Sequence, residues 1–259
     1  MRGLPLIESV LWGGVLLCHA ILIVKLLILR LHLKYKWFFS YLVIRLARAL
    51  VLACLPMRQN AYGWTYVATE PVIWVLYVLV VLELYALVLK DYPGIRSLSR
   101  WVLIFGLAAS TVLSMLSLVV DLSGAPPRYP ILLYMSVMER GVVTSLVFFL
   151  LLITGFLVWY PVPLCRNVVS YCLGYAVSFL AFSLVVLIRN VSGYGFVRPL
   201  STALQAVGLA CLVFWIAAIN RRGESVPTVL GHRWRPGEEE HLVGQLDAIN
   251  QSLLKAARK

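Results

Sequence analysis

Apolar residues along this chain fall in seven runs of about membrane length, at positions 5–29, 37–55, 64–90, 101–120, 131–160, 168–188 and 200–219. A bilayer's hydrocarbon core takes roughly 20 consecutive apolar residues to cross as a helix, so each run predicts one span. Polar, basic and proline-containing segments separate the runs. Of the twelve prolines only Pro71 falls inside a run, and the others stand at run ends or in connections, where proline starts or stops a helix. A final polar stretch closes on HLVGQLDAINQSLLKAARK, where Leu242, Leu246, Ile249 and Leu253 recur at helical spacing. Glu238 to Glu240 open it and Lys255, Arg258 and Lys259 close it, which complements a helix dipole at both ends.

The pattern predicts an all-α integral membrane bundle of seven transmembrane helices over residues 1–220. A tail over 221–259 would carry one short cytoplasmic amphipathic helix at about 237–258. That helix has Gln245, Asp247 and Gln251 on its polar face where a lipid-surface helix would carry basic residues, so it is expected to dock on protein: the bundle, a second copy or a partner chain. Composition agrees with the bundle, since 61% of the residues are hydrophobic and 13% charged, outside the range of soluble domains. No separate catalytic domain is expected.

The formal net charge of +12 sits in the connections, so it speaks for membrane orientation and not for nucleic acid. One set of connections holds eleven basic residues: Arg30, Lys34, Lys36, Lys90, Arg96, Arg100, Arg166, Arg221, Arg222, Arg233 and Arg235. The other holds five: Arg2, Arg58, Arg128, Arg189 and Arg198. The first set is expected to be cytoplasmic, which places the N-terminus outside and the C-terminus inside.

Charges inside the runs are the candidate chemistry, because a lone charge in hydrocarbon is expensive and turns toward a bundle interior. Arg45 and Arg48 lie three residues apart on one face of the second run; Glu70 and Glu83 lie in the third, and Glu139 and Arg140 in the fifth. Counting residues from the run ends puts Glu83 level with Arg45 and Glu139 level with Arg48, so those two pairs are expected. Glu70 has two readings: interior, or at headgroup level if Pro71 is the first residue of its helix. Trp74 and Tyr77 share the face of Glu70 and would form the apolar wall of a pocket there. The other aromatics singled out, Trp64, Tyr66, Trp101, Trp159 and Trp215, are expected at the membrane interface. These charges make either an ion-pair network that sets helix register or a site for a small anionic, carboxylate-bearing ligand.

Stripes of small residues, Gly106, Ser110, Ser114, Ser117 and Asp121 in the fourth run and Ser170, Gly174 and Ser178 in the sixth, are expected to let helices approach closely. The five cysteines and four histidines show no metal-ligand spacing and no disulfide framework, and no cofactor or metal is expected. Motifs of hydrolases, metalloproteases and nucleotide-binding loops are missing. No lysine occurs between Asp91 and Leu254, which excludes a retinal Schiff base on the sixth or seventh run.

Three segments, YKWFFSYLVIRLARALVL, YGWTYVATEPVIWVLYVLVVLELYALVLKDYPGIRSL and MERGVVTSLVFFLLL, resemble a family of multi-pass, heptahelical bacterial membrane proteins of unknown function. The resemblance implies a heptahelical fold and the bacterial inner membrane, and carries no substrate. The functional expectation is a non-enzymatic heptahelical protein of sensor or receptor type with a polar Glu/Arg interior. A small-solute or ion carrier and a structural subunit of a membrane complex are the alternatives.

Overall fold

A computed structural model describes residues 6–55, 60–95, 97, 101–102, 104–106, 108–109, 112, 130–159, 163–192, 197–225, 227–229 and 238–256. Its long helices lie on the apolar runs: α1 (Leu6–Ile28), α2 (Lys36–Cys54), α3 (Asn60–Val88), α4 (Pro130–Trp159), α5 (Arg166–Ser192) and α6 (Val197–Ala218), with α7 (Glu238–Ala256) in the tail. Five of them contain segments long and apolar enough to cross a membrane: Ile7–Ile28, Lys36–Cys54, Ala61–Val88, Arg166–Val185 and Pro199–Ala218. In α4 the apolar stretch is Gly141–Leu157. In the fourth run, the described residues among 101–112 are helical. Asp121, Ser110, Ser114 and Ser117 of its stripe lie outside the described residues, whereas Gly106 meets the ring of Phe149.

Each helix packs on the next, α1 on α2 through to α5 on α6, and α6 returns to α1, so the six close into a ring. Outward faces carry large apolar side chains such as Ile7, Leu17, Val75, Phe148 and Leu180, all exposed. In water such a surface would aggregate, whereas in lipid it is the solvated face. Trp64, Trp101 and Trp159 are also exposed, as expected of an interfacial belt.

Relative directions follow from cross-helix contacts. Gly14 lies against Leu209 and Lys25 Nζ donates to the Ile216 carbonyl, so α1 and α6 run parallel. Tyr85 donates to the Phe149 carbonyl over 2.8 Å while Tyr77 and Val143 line one cavity, so α3 and α4 also run parallel. Between α5 and α6 the small-residue stripe works as packing: a Cβ on Gly174 would overlap the Trp215 indole, whose Nε1 donates to the Ser170 carbonyl over 3.1 Å.

At one end of the ring the chain adds what an all-helical reading lacks. Strand β1 (Pro163–Cys165) pairs antiparallel with β2 (Pro227–Val229), with Leu164 opposite Thr228. Helix α7 docks beside the turn after α3, where the Gly94 N–H donates to Asn250 Oδ1 over 2.7 Å. A side chain on Gly94 would run into the Asn250 carbonyl, so only glycine admits this approach. Leu246 is buried, while Ile249, on the same predicted stripe, is exposed.

Candidate functional site

Inside the ring lies a cavity of about 230 Å³ to which all six helices contribute. Val15 and His19 come from α1, Tyr41 and Arg45 from α2, Tyr77 from α3, and Glu139 and Val143 from α4. Helix α5 adds Tyr175, Ser178, Phe179 and Phe182, and α6 adds Gln205, Cys211 and Trp215 among others. Spacing explains the contributions: His19 follows Val15, Arg45 follows Tyr41, Val143 follows Glu139 and Phe179 follows Tyr175 by four residues, one helical turn on one face.

Arg45 is the cation of this cavity. Its Nη1 donates to the Tyr77 hydroxyl over 3.1 Å. Ring contacts join Tyr77 to Tyr41 (centroids 5.3 Å apart) and to Phe179 (5.0 Å), and Tyr175 to Trp215 (4.9 Å), so the wall is largely aromatic. Two polar atoms on it, the Tyr175 hydroxyl and Gln205 Oε1, are buried with no hydrogen-bond partner among the described residues. Tyr175 is only 2% exposed, and a buried hydroxyl left unpaired costs about 1–3 kcal/mol. His19 accounts for one ring nitrogen by placing Nδ1 2.8 Å from the Val15 carbonyl.

The interior charges pair differently from the expectation built on depth. Arg48 forms its ion pair with Glu70, not Glu139, and its guanidinium also lies 4.6 Å over the Tyr66 ring. Glu70 is 4% exposed and Pro71 lies inside α3, because the helix already starts at Asn60; this removes the headgroup-level reading of Glu70. Proline there leaves the Val67 carbonyl, one turn back, without its helical donor.

Glu83 does not meet Arg45. Its two carboxylate oxygens accept from the N–H groups of Trp37 (3.1 Å) and Phe38 (3.2 Å) at the start of α2. Helix α3 ends at Val88, so Glu83 sits level with the α2 N-terminus, where unpaired N–H groups and the helix dipole attract a carboxylate. Residue counting from Lys90 placed it too deep to find this partner.

Of the remaining expected site residues, Glu139 faces the central cavity; Arg140 follows it on α4, but its side chain lies outside the described residues. Trp74 is not part of the cavity wall, and its Nε1 is buried without a partner among the described residues. Trp215, expected at the interface, is 4% exposed and lines the cavity; Tyr66 lies under Arg48. Sequence reasoning missed His19, Tyr41, Tyr175 and Gln205. A helical face of Tyr171, Tyr175 and Phe179 in the sixth run was the available signal.

A second polar cluster closes the end of the ring below the cavity. Glu224 pairs with Lys34 and accepts from Tyr35 Oη and from Asn167 Nδ2, each over 2.6 Å. Asn167 Nδ2 also donates to the Asn220 carbonyl (2.8 Å), and the Asn220 N–H returns to Asn167 Oδ1 (3.2 Å). A side chain on Gly223 would overlap the Asn167 carboxamide. Burial pushes the Glu224 pKa up, but the hydrogen bonds from Lys34, Tyr35 and Asn167 outweigh it and hold the carboxyl below its ordinary range. A chain of tilted and edge-to-face ring contacts leads from here to the cavity: Tyr35 with Tyr171 (4.4 Å), Phe38 with Tyr171 (4.5 Å) and Phe38 with Trp215 (5.2 Å).

Comparison with protein-family models, with curated proteins and with solved structures finds no match for this chain.

Proposed function

We propose that this protein is a non-enzymatic heptahelical membrane protein of sensor or receptor type that binds a small carboxylate-bearing ligand in its central cavity. The observation that carries the reading is the cavity itself: about 230 Å³, walled by six helices, with Arg45 and a Tyr175 hydroxyl that has no partner among the described residues both lining one aromatic chamber. Ligand sites are largely apolar concavities with a few placed polar groups, and this one has that composition. The Glu224 cluster, joined to it by tilted and edge-to-face aromatic contacts, is the route by which occupancy would reach the tail.

Seven spans are the topology we infer. Neighbouring helices α3 and α4 run parallel, so the chain between them, residues 89–129, joins opposite ends of the bundle. Its 41 residues exceed the roughly 20 a span requires, and its described residues among 101–112 are helical. The ends of α1, α3 and α6 and the starts of α2 and α5 meet at the Glu224 end, together with Lys34, Lys36, Lys90, Arg166, Arg221 and Arg222. By the positive-inside rule we take that end as cytoplasmic, which puts the N-terminus outside and the C-terminus inside; the bacterial inner membrane is the location that the family resemblance implies.

A thermal-shift screen of small carboxylates on the detergent-purified protein tests the ligand reading. Stabilisation that disappears in Arg45→Gln is expected; stabilisation by none of them would overturn it. Reconstituted vesicles separate the classes, because a sensor binds without flux, and carboxylate flux in vesicles would make the protein a carrier instead.

A further inference from the structure

The lining of the central cavity narrows the ligand further. Arg45 is the group on it that a carboxylate would meet: one of its N–H donors goes to the Tyr77 hydroxyl, and a guanidinium has others to give. Glu139 lines the same cavity but is already engaged by a partner, so it has no share in the ligand's polar contacts. Around Arg45 the wall is mostly ring surface. Tyr41 and Phe179 lie against Tyr77 with centroids 5.3 and 5.0 Å away, and Tyr175 and Trp215, 4.9 Å apart, close the side toward Glu224.

Aliphatic and aromatic groups of one size bury similar area, but a ring against an aromatic wall gains a further attraction from edge-to-face and offset contacts. Such a wall selects a flat ring. Size agrees, since a dry cavity of about 150 Å³ holds benzene and this one, at about 230 Å³, has room for a ring with a polar group at each end. A polar group waits at the far end: Gln205 lines the cavity, and its Oε1 is buried without a hydrogen-bond partner, an acceptor that a carboxylate cannot satisfy. The Glu224 cluster holds Tyr35 and Asn220 at one end of the ring of helices and so puts Arg45 and Gln205 on one scale. Arg45 follows Tyr35 by ten residues and Gln205 precedes Asn220 by fifteen, so at about 1.5 Å per residue Gln205 lies about 7 Å farther from that end. A benzene ring carrying polar groups at opposite corners spans that separation.

We propose that the ligand is a hydroxylated aromatic acid, its carboxylate on Arg45, its ring against Tyr41, Tyr77 and Phe179, and its hydroxyl donating to Gln205. This rests on the carboxylate-site reading above and adds the ring and the hydroxyl. The test measures three acids by calorimetry on the purified full-length protein: para-hydroxybenzoate, benzoate, which lacks the hydroxyl, and cyclohexanecarboxylate, which keeps the ring size without the π-surface. Benzoate should bind at least about threefold more tightly than cyclohexanecarboxylate. The hydroxyl should add at least about another threefold. Gln205→Met should bring the ratio of para-hydroxybenzoate to benzoate affinity to about one, because methionine offers no comparable acceptor.

Cyclohexanecarboxylate binding as tightly as benzoate would overturn the aromatic ligand and leave the carboxylate site standing. Benzoate matching para-hydroxybenzoate, or a hydroxyl gain that survives Gln205→Met, would overturn the proposal at its second contact. Binding of none of the three would also overturn it, and if the carboxylate screen is likewise silent the ligand-site reading falls with it. Should Gln205→Met fail to fold, the three-acid comparison on the unmodified protein decides alone.

Discussion

Asn167 at the start of α5 donates to Glu224, beyond the end of α6, over 2.6 Å, and this contact ties together two helix ends and the turn that carries Lys34 and Tyr35. No helix propensity specifies it; a residue in the first turn of α5 meets a residue of the short helical turn after α6, 57 positions further along the chain.

Because the folded carboxyl of Glu224 titrates below its ordinary value of about 4.3, folding favours its ionised form. The sign follows: the cluster contributes stability above that ordinary value and loses it as pH falls through the lower folded value. Thermal unfolding in detergent should show a midpoint that drops at acid pH, and Glu224→Gln should lower the neutral-pH stability by about 1.5–3 kcal/mol and flatten the acid limb. An unchanged acid limb in Glu224→Gln would assign that limb to other carboxylates.

Arg48 and Glu70 should couple energetically. Removing one partner of a buried pair costs about 3–5 kcal/mol, because the other charge stays behind uncompensated, while removing both is often close to neutral. Arg48→Met should therefore destabilise, and adding Glu70→Gln should restore much of the loss. The corresponding cycle on Arg45 and Glu83 should be additive, since those residues have different partners. Strong coupling in the second cycle and none in the first would invert the assignment.

Gly174→Ala should cost about 1–3 kcal/mol, as overpacking a dense helix contact does. The added methyl meets the Trp215 indole, which is held by its bond to Ser170 and cannot swing away freely. Trp215→Phe in the same chain should recover part of the loss, measured as the shift in melting temperature.

For orientation, single cysteines at Ala61 and at Arg221, both exposed, are placed in a background without accessible thiols. An impermeant reagent should label the first in intact cells and the second only after permeabilisation. The opposite pattern would reverse the topology.

What the sequence by itself determined is the membrane character and the position of each helix. The apolar runs and their proline and polar boundaries mark α1 to α6 to within about four residues at each end, because burial of a backbone in hydrocarbon forces helix wherever the run is long enough. The same holds for Arg45 and Glu139, whose charge alone requires an interior. Which partner each charge takes was decided only by tertiary structure. A depth estimate is one coordinate, and partners need three: Glu83 lies near a helix N-terminus that competes for it, and Glu70 comes into reach of Arg48 because α3 begins before Pro71. Trp215, Tyr175, Gln205 and His19 stand in otherwise ordinary apolar runs, and ring closure alone turns them toward one chamber. The Asn167–Glu224 cluster belongs to the same class, since it joins segments whose proximity no local periodicity encodes.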